Sequence, residues 1–164
     1  MKIGVLSDTH NNESNTVAAI QHFRQRQITQ LIHCGDVTRS DILAHFTGFQ
    51  MALVEGNGDD PVRLRMALRE HPHIFFAGPD VSLEFASVTV AACHGDDDSR
   101  LAGLANSGLY SWVFRGHSHI RGIKRATIGS TQILNPGALG GRRVQSRSIA
   151  IVDLVANTAE FIEI

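Results

Sequence analysis

The sequence predicts an α/β fold of two mixed β-sheets, packed as a sandwich between helical layers, in a single domain spanning residues 1–164. Three observations predict it. In the first half, short apolar runs rich in β-branched residues alternate with segments of helical period, the pattern of parallel strands joined by crossover helices. In the second half, strand-like runs follow one another closely, which calls for added antiparallel strands. No internal repeat, low-complexity tract or Pro/Gly/Ser-rich linker divides the 164 residues, a length that suffices for one hydrophobic core.

Each element has its own signal. Residues 2–7 form a β-branched apolar run that ends at the turn-prone Asp8-Thr9-His10-Asn11-Asn12. Val17, Ile20 and Phe23 then fall at helical spacing, with Asn12 or Ser14 as the candidate N-cap of a helix reaching about Gln27. A second strand over 28–34 ends in Gly35-Asp36, and a helix is expected around 40–46. A third strand over 51–56 ends in Gly56-Asn57, after which Pro61 sits at the N1 position of a helix over 61–70.

Strand-like runs then occupy 73–77, 81–86 and 87–93, the last ending in His94-Gly95. A helix near 99–106 leads to a further run over 110–116, which ends in His117-Ser118-His119. The tail, 148–154 and 158–164, alternates about Ala156-Asn157-Thr158 as a closing hairpin.

Bulk composition excludes several classes of function. Hydrophobic residues make up 43%, charged residues 19%, and the net charge is −1. That balance is ordinary for a globular protein and provides no electrostatic capture of nucleic acid or an anionic membrane. No run of about 18 apolar residues exists to cross a bilayer. The opening residues also lack the length and cleavage site of a signal peptide, so a cytoplasmic location is expected. Cys34 and Cys93 belong to no CxxC pair and read as small buried hydrophobes.

The nine histidines are unevenly placed. Five strand-like runs end in residues able to bind a metal: Asp8 and His10, Asp36, Asn57, His94, then His117 and His119. Ligands gather at the carboxyl edge of strands in α/β sheets. On extended backbone, positions i and i+2 point to one side, so each two-apart pair can face one cavity. Taken singly, most of these residues are equally good turn formers, helix caps or core histidines. His117-Ser118-His119 is harder to dismiss, because two close imidazoles disfavour each other's protonation unless a metal or carboxylate compensates. His22 and His45 read as surface or interface side chains, His33 as a satisfied core histidine, and His71 and His73 as loop residues.

Ser-Asp-Thr-His (7–10), Gly-Asp (35–36), Gly-Asn (56–57), His-Gly (94–95) and Gly-His-Ser-His (116–119) resemble the ordered motifs of the calcineurin-like metallophosphoesterases. The short chain and Asn135-Pro136-Gly137 resemble that superfamily's compact bacterial and archaeal phosphodiesterase branch. The resemblance implies that Asp8, His10, Asp36 and His119 hold one divalent ion. Asp36 would bridge to a second, which also takes Asn57, His94 and His117. This donor set suits transition metals, Mn foremost with Fe, Zn, Ni or Co as alternatives, better than an all-oxygen Mg or Ca cage. Two ions bring +4 against −2 from the two aspartates, an excess that favours an anionic phosphate beside a metal-bridging hydroxide as nucleophile.

Three departures stand out. Gly58 occupies the position where many members carry a His that assists the leaving group. Asp96-Asp97-Asp98 follows His94-Gly95 where a second His is common, and Ala138 follows Asn-Pro-Gly where Ser is common. Asp59, Asp60 and Asp96 remain as candidate proton donors. The acidic run should favour a phosphodiester, with its single charge, over a monoester. Arg142 and Arg143, in a cluster with Arg147, are candidate phosphate contacts, since guanidinium groups match phosphate oxygens.

The expected partner is therefore a small-molecule phosphate ester, and a homo-oligomer is compatible with the sequence. A nuclease would want a longer basic track. A protein-interaction scaffold of this fold, such as a eukaryotic sorting-complex subunit that resembles it, would show losses among the seven positions. A metal-binding protein without turnover would keep all seven.

Overall fold

In the computed structural model, which describes residues 1–164, the first strand shows how one short run builds two cores. Ile3 and Val5 of β1 (Lys2–Leu6) face a second sheet and pack with Ile32, Val90, Trp112 and Phe114. Leu6 points the opposite way, onto Ala19, Ile20 and Phe23 of α1 (Glu13–Gln25), as the two-residue alternation of a strand requires. Gly4 shares the face of Leu6, and an added Cβ there would stand 2.5 Å from the Phe23 ring. Its missing side chain is what lets α1 lie directly on the strand.

The first sheet runs in the order β11-β10-β1-β2-β3-β4. Within it β1, β2 (Gln30–His33), β3 (Gln50–Val54) and β4 (Ile74–Gly78) are parallel. The closing hairpin of β10 (Ser148–Asp153) and β11 (Thr158–Glu163) pairs antiparallel against β1. The second sheet runs in the order β5-β6-β7-β9-β8. There β6 (Val88–Cys93), β7 (Trp112–Phe114) and β9 (Gln132–Asn135) are parallel, with β5 (Asp80–Phe85) and β8 (Gly122–Arg125) antiparallel at the edges. α1 and α2 (Pro61–Ala67) cover the outer face of the first sheet, and α3 (Asp98–Asn106) covers the second through Ala105 against Ala91 and Val113. The layers are helix, sheet, sheet, helix, as expected.

Several boundaries differ from the sequence reading. Ser40–Phe46 is a 3-10 helix rather than an α-helix. Seven residues gain little from α-helical cooperativity, and Ile42, Leu43 and Phe46 reach the core from the tighter coil. The helix from Pro61 turns 3-10 at Leu68–Glu70. β8 and β9 were not foreseen: each has four residues, and β8 is an exposed edge with no apolar alternation to reveal it. Asn12 caps α1 by accepting from the Asn15 N–H at 3.1 Å. No helix is long and apolar enough to cross a membrane.

Candidate metal centre

The seven candidate ligands follow the carboxyl ends of β1, β2 and β3 in one sheet and of β6 and β7 in the other. None of the two-apart pairs lies on extended backbone, however. Asp8, His10, Asp36, His117 and His119 all have φ between 40° and 65°. Loop geometry, not the alternation of an extended strand, therefore brings these side chains together. Left-handed backbone on residues other than Gly costs about 1–3 kcal/mol each and persists only where surrounding bonds over-determine it. Those bonds are present. The Asp8, His10 and Asn11 N–H groups donate to the carbonyls of Gly35, Asp36 and Val37, zipping the first two loops together at 3.0–3.2 Å.

Asp8, Asp36 and His94 are buried, His10 and His119 half-buried, and Asn57 and His117 exposed, so one wall opens to solvent. His119 Nε2 lies 3.3 Å and His10 Nε2 3.9 Å from Asp8 Oδ1, and the two imidazole nitrogens are 3.3 Å apart. Asp36 Oδ2 lies 3.5 Å from both His10 Nε2 and His94 Nε2. Asn57 Oδ1 completes the far end, 3.1 Å from His94 Nε2 and 3.0 Å from His117 Nδ1. Ligand atoms of Asp8, His10 and His119 cluster within 4.8 Å, as do those of Asp8, Asp36 and His94.

The donor set fits divalent metal. His94 donates from Nδ1 to the Cys34 carbonyl at 2.7 Å, and His119 from Nδ1 to the Arg142 carbonyl at 2.8 Å. Both rings thus turn the Nε2 lone pair inward, the arrangement that prepares imidazole for a cation. Asp8 Oδ1 is buried with no hydrogen-bond partner. Lone pairs of Asp8, His94, His119 and Asn57 therefore face one another and need protons or a cation between them.

Burial pushes the His94 imidazole down, but its bonds to Asp36 and to the Cys34 carbonyl more than offset this and carry it up to about 9. The nearby Asp8 carboxylate likewise raises His119. Burial opposes ionisation of Asp36, yet His94 and the Gly58 N–H hold its carboxyl down at about 2.

Residues 1–157 match the calcineurin-like phosphoesterase superfamily domain, nearly the whole chain. The chain belongs to this superfamily. It is 29% identical over 156 residues to a phosphodiesterase of Methanocaldococcus jannaschii, covering 93% of both chains. The structure of an archaeal phosphodiesterase superposes with a TM-score of 0.90 at 27% identity, over the full length of both. A phosphoesterase from E. coli shares the fold at a TM-score of 0.74 and 19% identity, again over both full chains. As a member of this superfamily, the chain is a phosphoester hydrolase of a metal-dependent kind.

Within this phosphoesterase fold, the residues that hold the candidate ligands were the hardest to foresee. Asp59 was a candidate proton donor, but its carboxylate accepts three backbone N–H groups. Asp36 and Gly56 donate to Oδ2 at 2.9 Å, and Thr38 donates to Oδ1 at 2.7 Å. It ties the Asp36 loop to the Asn57 loop. Asp60 is occupied too, capping α2 through the Val62 and Arg63 N–H groups. Gly58 donates its N–H to Asp36 Oδ1 at 2.7 Å, and a Cβ there would stand 3.0 Å from that same oxygen.

Asn135 donates to the Gly116 carbonyl and Ser118 Oγ, steadying the loop between His117 and His119. At Gly116 a Cβ would strike Ser7 Oγ and stand 2.5 Å from Asp8 Oδ2, so only glycine lets the two loops meet. Arg147 donates to the Gly140 and Gly141 carbonyls and straps that turn against His10 and His119. Arg142 reaches the centre through its main-chain oxygen alone, and the Arg142 and Arg143 side chains are exposed. The acidic run divides: Asp97 caps α3 and pairs with Arg100, while Asp96 and Asp98 are exposed.

His33 is the satisfied core histidine expected. Its Nδ1 accepts the Gly35 N–H at 3.1 Å, and Nε2 lies 3.3 Å from Thr9 Oγ1, which donates to the Asp36 carbonyl. Burial lowers its pKa from 6.5 to about 4. Between those values the unfolded chain takes up a proton that the folded chain refuses, so stability falls as pH drops through that window. Metal-free protein should lose about 3 kcal/mol by this route as pH falls from 6.5 to 4. His33→Gln should remove that part of the slope in urea titrations at several pH values. An unchanged slope would show that His33 does not carry it.

Proposed function

We propose that the chain hydrolyses phosphodiesters using two divalent transition-metal ions, Mn foremost. Asp8, His10, Asp36 and His119 would hold one ion, and Asp36 would be shared with a second held by Asn57, His94 and His117. The observation that carries this reading is the position of Asp36. Its Oδ2 lies equally close to His10 and His94, at 3.5 Å, and so spans both halves of the cluster. When bound, the ions would supply an acidified water as nucleophile and offset charge developing on the phosphoryl oxygens.

The chain's own residues do the rest. The carbonyls of Cys34 and Arg142 fix the His94 and His119 rings. Asp59 holds the two loops in register, and the exposed Asn57 and His117 leave an open side for the ester. Two aspartates against two divalent ions would leave an excess of positive charge suited to a phosphate anion. With Asp59 and Asp60 engaged by backbone and glycine at position 58, no side chain beside Asn57 is free to protonate a poor leaving group. A phosphodiester is further supported by the phosphodiesterase relatives at 27–29% identity. Cys34 and Cys93, buried and unpaired, support a reducing cytoplasmic setting.

The test compares kcat/KM for nitrophenyl mono- and diesters on protein stripped by chelator and reloaded with Mn, Ni, Co, Zn or Mg. The diester should win by about tenfold or more. Asp96→Asn, which removes an exposed charge without uncapping α3, should narrow the ratio. A monoester preference in the parent would refute the diester reading, and an unchanged ratio in the variant would assign the preference to pocket shape.

A further inference from the structure

A cavity of about 300 Å³ opens beside the loop that carries His117 and His119, and none of the seven candidate ligands lines it. Arg115, Arg121 and Lys124 line it, with no acidic residue on its wall. Leu101, Ile120 and Ile133 form its apolar part, with Ser118 and Asn135 between the two.

Two of the three cations are held in place by hydrogen bonds, and Lys124 is exposed. Arg115 donates from Nε and Nη2 to the Gly116 and Gly95 carbonyls, both at 3.2 Å, which fixes the guanidinium and leaves Nη1 over. Arg121 donates from Nη2 to Glu163 at 2.5 Å, while its Nη1 is buried with no hydrogen-bond partner. Lys124, on the edge strand β8, adds a third positive charge. Glu163 offsets one of the three, leaving an excess of two. Ser118 Oγ accepts from Asn135 at 3.0 Å and keeps its own hydrogen to donate.

We propose that this cavity is a second binding site, separate from the metal centre, for a small organic anion with an apolar or aromatic body. Phosphate, sulfonate or carboxylate oxygens would meet the guanidinium groups, whose planar fork matches them. The apolar body would lie on Leu101, Ile120 and Ile133. The volume falls at the lower end of small-ligand pockets. The site does not depend on the proposed diester hydrolysis, because none of the seven candidate ligands lines it.

Phenyl phosphate is the probe, titrated into metal-free protein with inorganic phosphate as comparator, by calorimetry and amide resonance shifts. It should bind about tenfold more tightly than inorganic phosphate, because only it can use the apolar wall. Shifts should centre on Gly122, Lys124 and Ile133. Lys124→Glu, at an exposed edge position that tolerates change, should weaken binding by about tenfold or more. Lys124→Gln should weaken it less, and melting curves of both variants should match the parent. The proposal is overturned if shifts centre on Asp36, Asn57 and His94, or if Lys124→Glu leaves affinity unchanged. It is equally overturned if phenyl phosphate binds no better than inorganic phosphate, or shows no saturation below about 10 mM.

Discussion

Asp36→Ala should lower kcat/KM by about 10³-fold or more, whereas His119→Ala should cost about ten- to a hundredfold. Asp36 Oδ2 lies 3.5 Å from His10 in one half of the cluster and 3.5 Å from His94 in the other, and Asp36 is one of only two carboxylates there. Its removal weakens both proposed ion sites and halves the negative charge that holds them. His119 serves one half only, beside Asp8 and His10. Asp36→Asn separates charge from shape: it fills the same space but loses the anion, and should fall close to the alanine variant. The measurement is turnover at saturating metal, with metal content determined on the same samples. An Asp36→Ala enzyme retaining half the parent activity would contradict the bridging role.

Asp59→Ala should be almost as damaging although its side chain is not among the candidate ligands. Three backbone N–H groups lose their acceptor, and each buried donor left unpaired costs about 1–3 kcal/mol. Some of this returns through water, because Asp59 is only half-buried. The net expectation is a loss of about 2–4 kcal/mol in stability and about ten- to a hundredfold in metal affinity, as when supporting bonds around a metal site are cut. Asp59→Asn keeps one acceptor oxygen and should lie between parent and alanine. Chemical denaturation reads the first effect and metal titration the second. Asp59→Ala with parental metal affinity would show that the Asp36 and Asn57 loops hold their positions without it.

The candidate ligands were legible because chemistry-bearing residues stand at the ends of apolar runs, and strand ends of one sheet share an edge. The left-handed turns that aim them were not, since only the neighbouring loop makes φ near 59° affordable at Asp36. Each two-apart pair does converge, but from left-handed rather than extended backbone. The tie that Asp59 makes between the two loops was not foreseen, because side-chain bonds to backbone leave no periodic trace. One signal was available: Asp60 directly before Pro61 suffices to cap α2, which left Asp59 without an evident local duty. β8 and β9 escaped notice for a related reason, as four-residue strands draw their stability from neighbours and carry no pattern of their own.

The most direct test of the central claim is anomalous scattering from crystals grown with Mn, collected on both sides of the metal edge. The account predicts two peaks about 3.5–4 Å apart with Asp36 between them. One should be held by Asp8, His10 and His119, and the other by Asn57, His94 and His117. A single peak, or density away from Asp36, would contradict it.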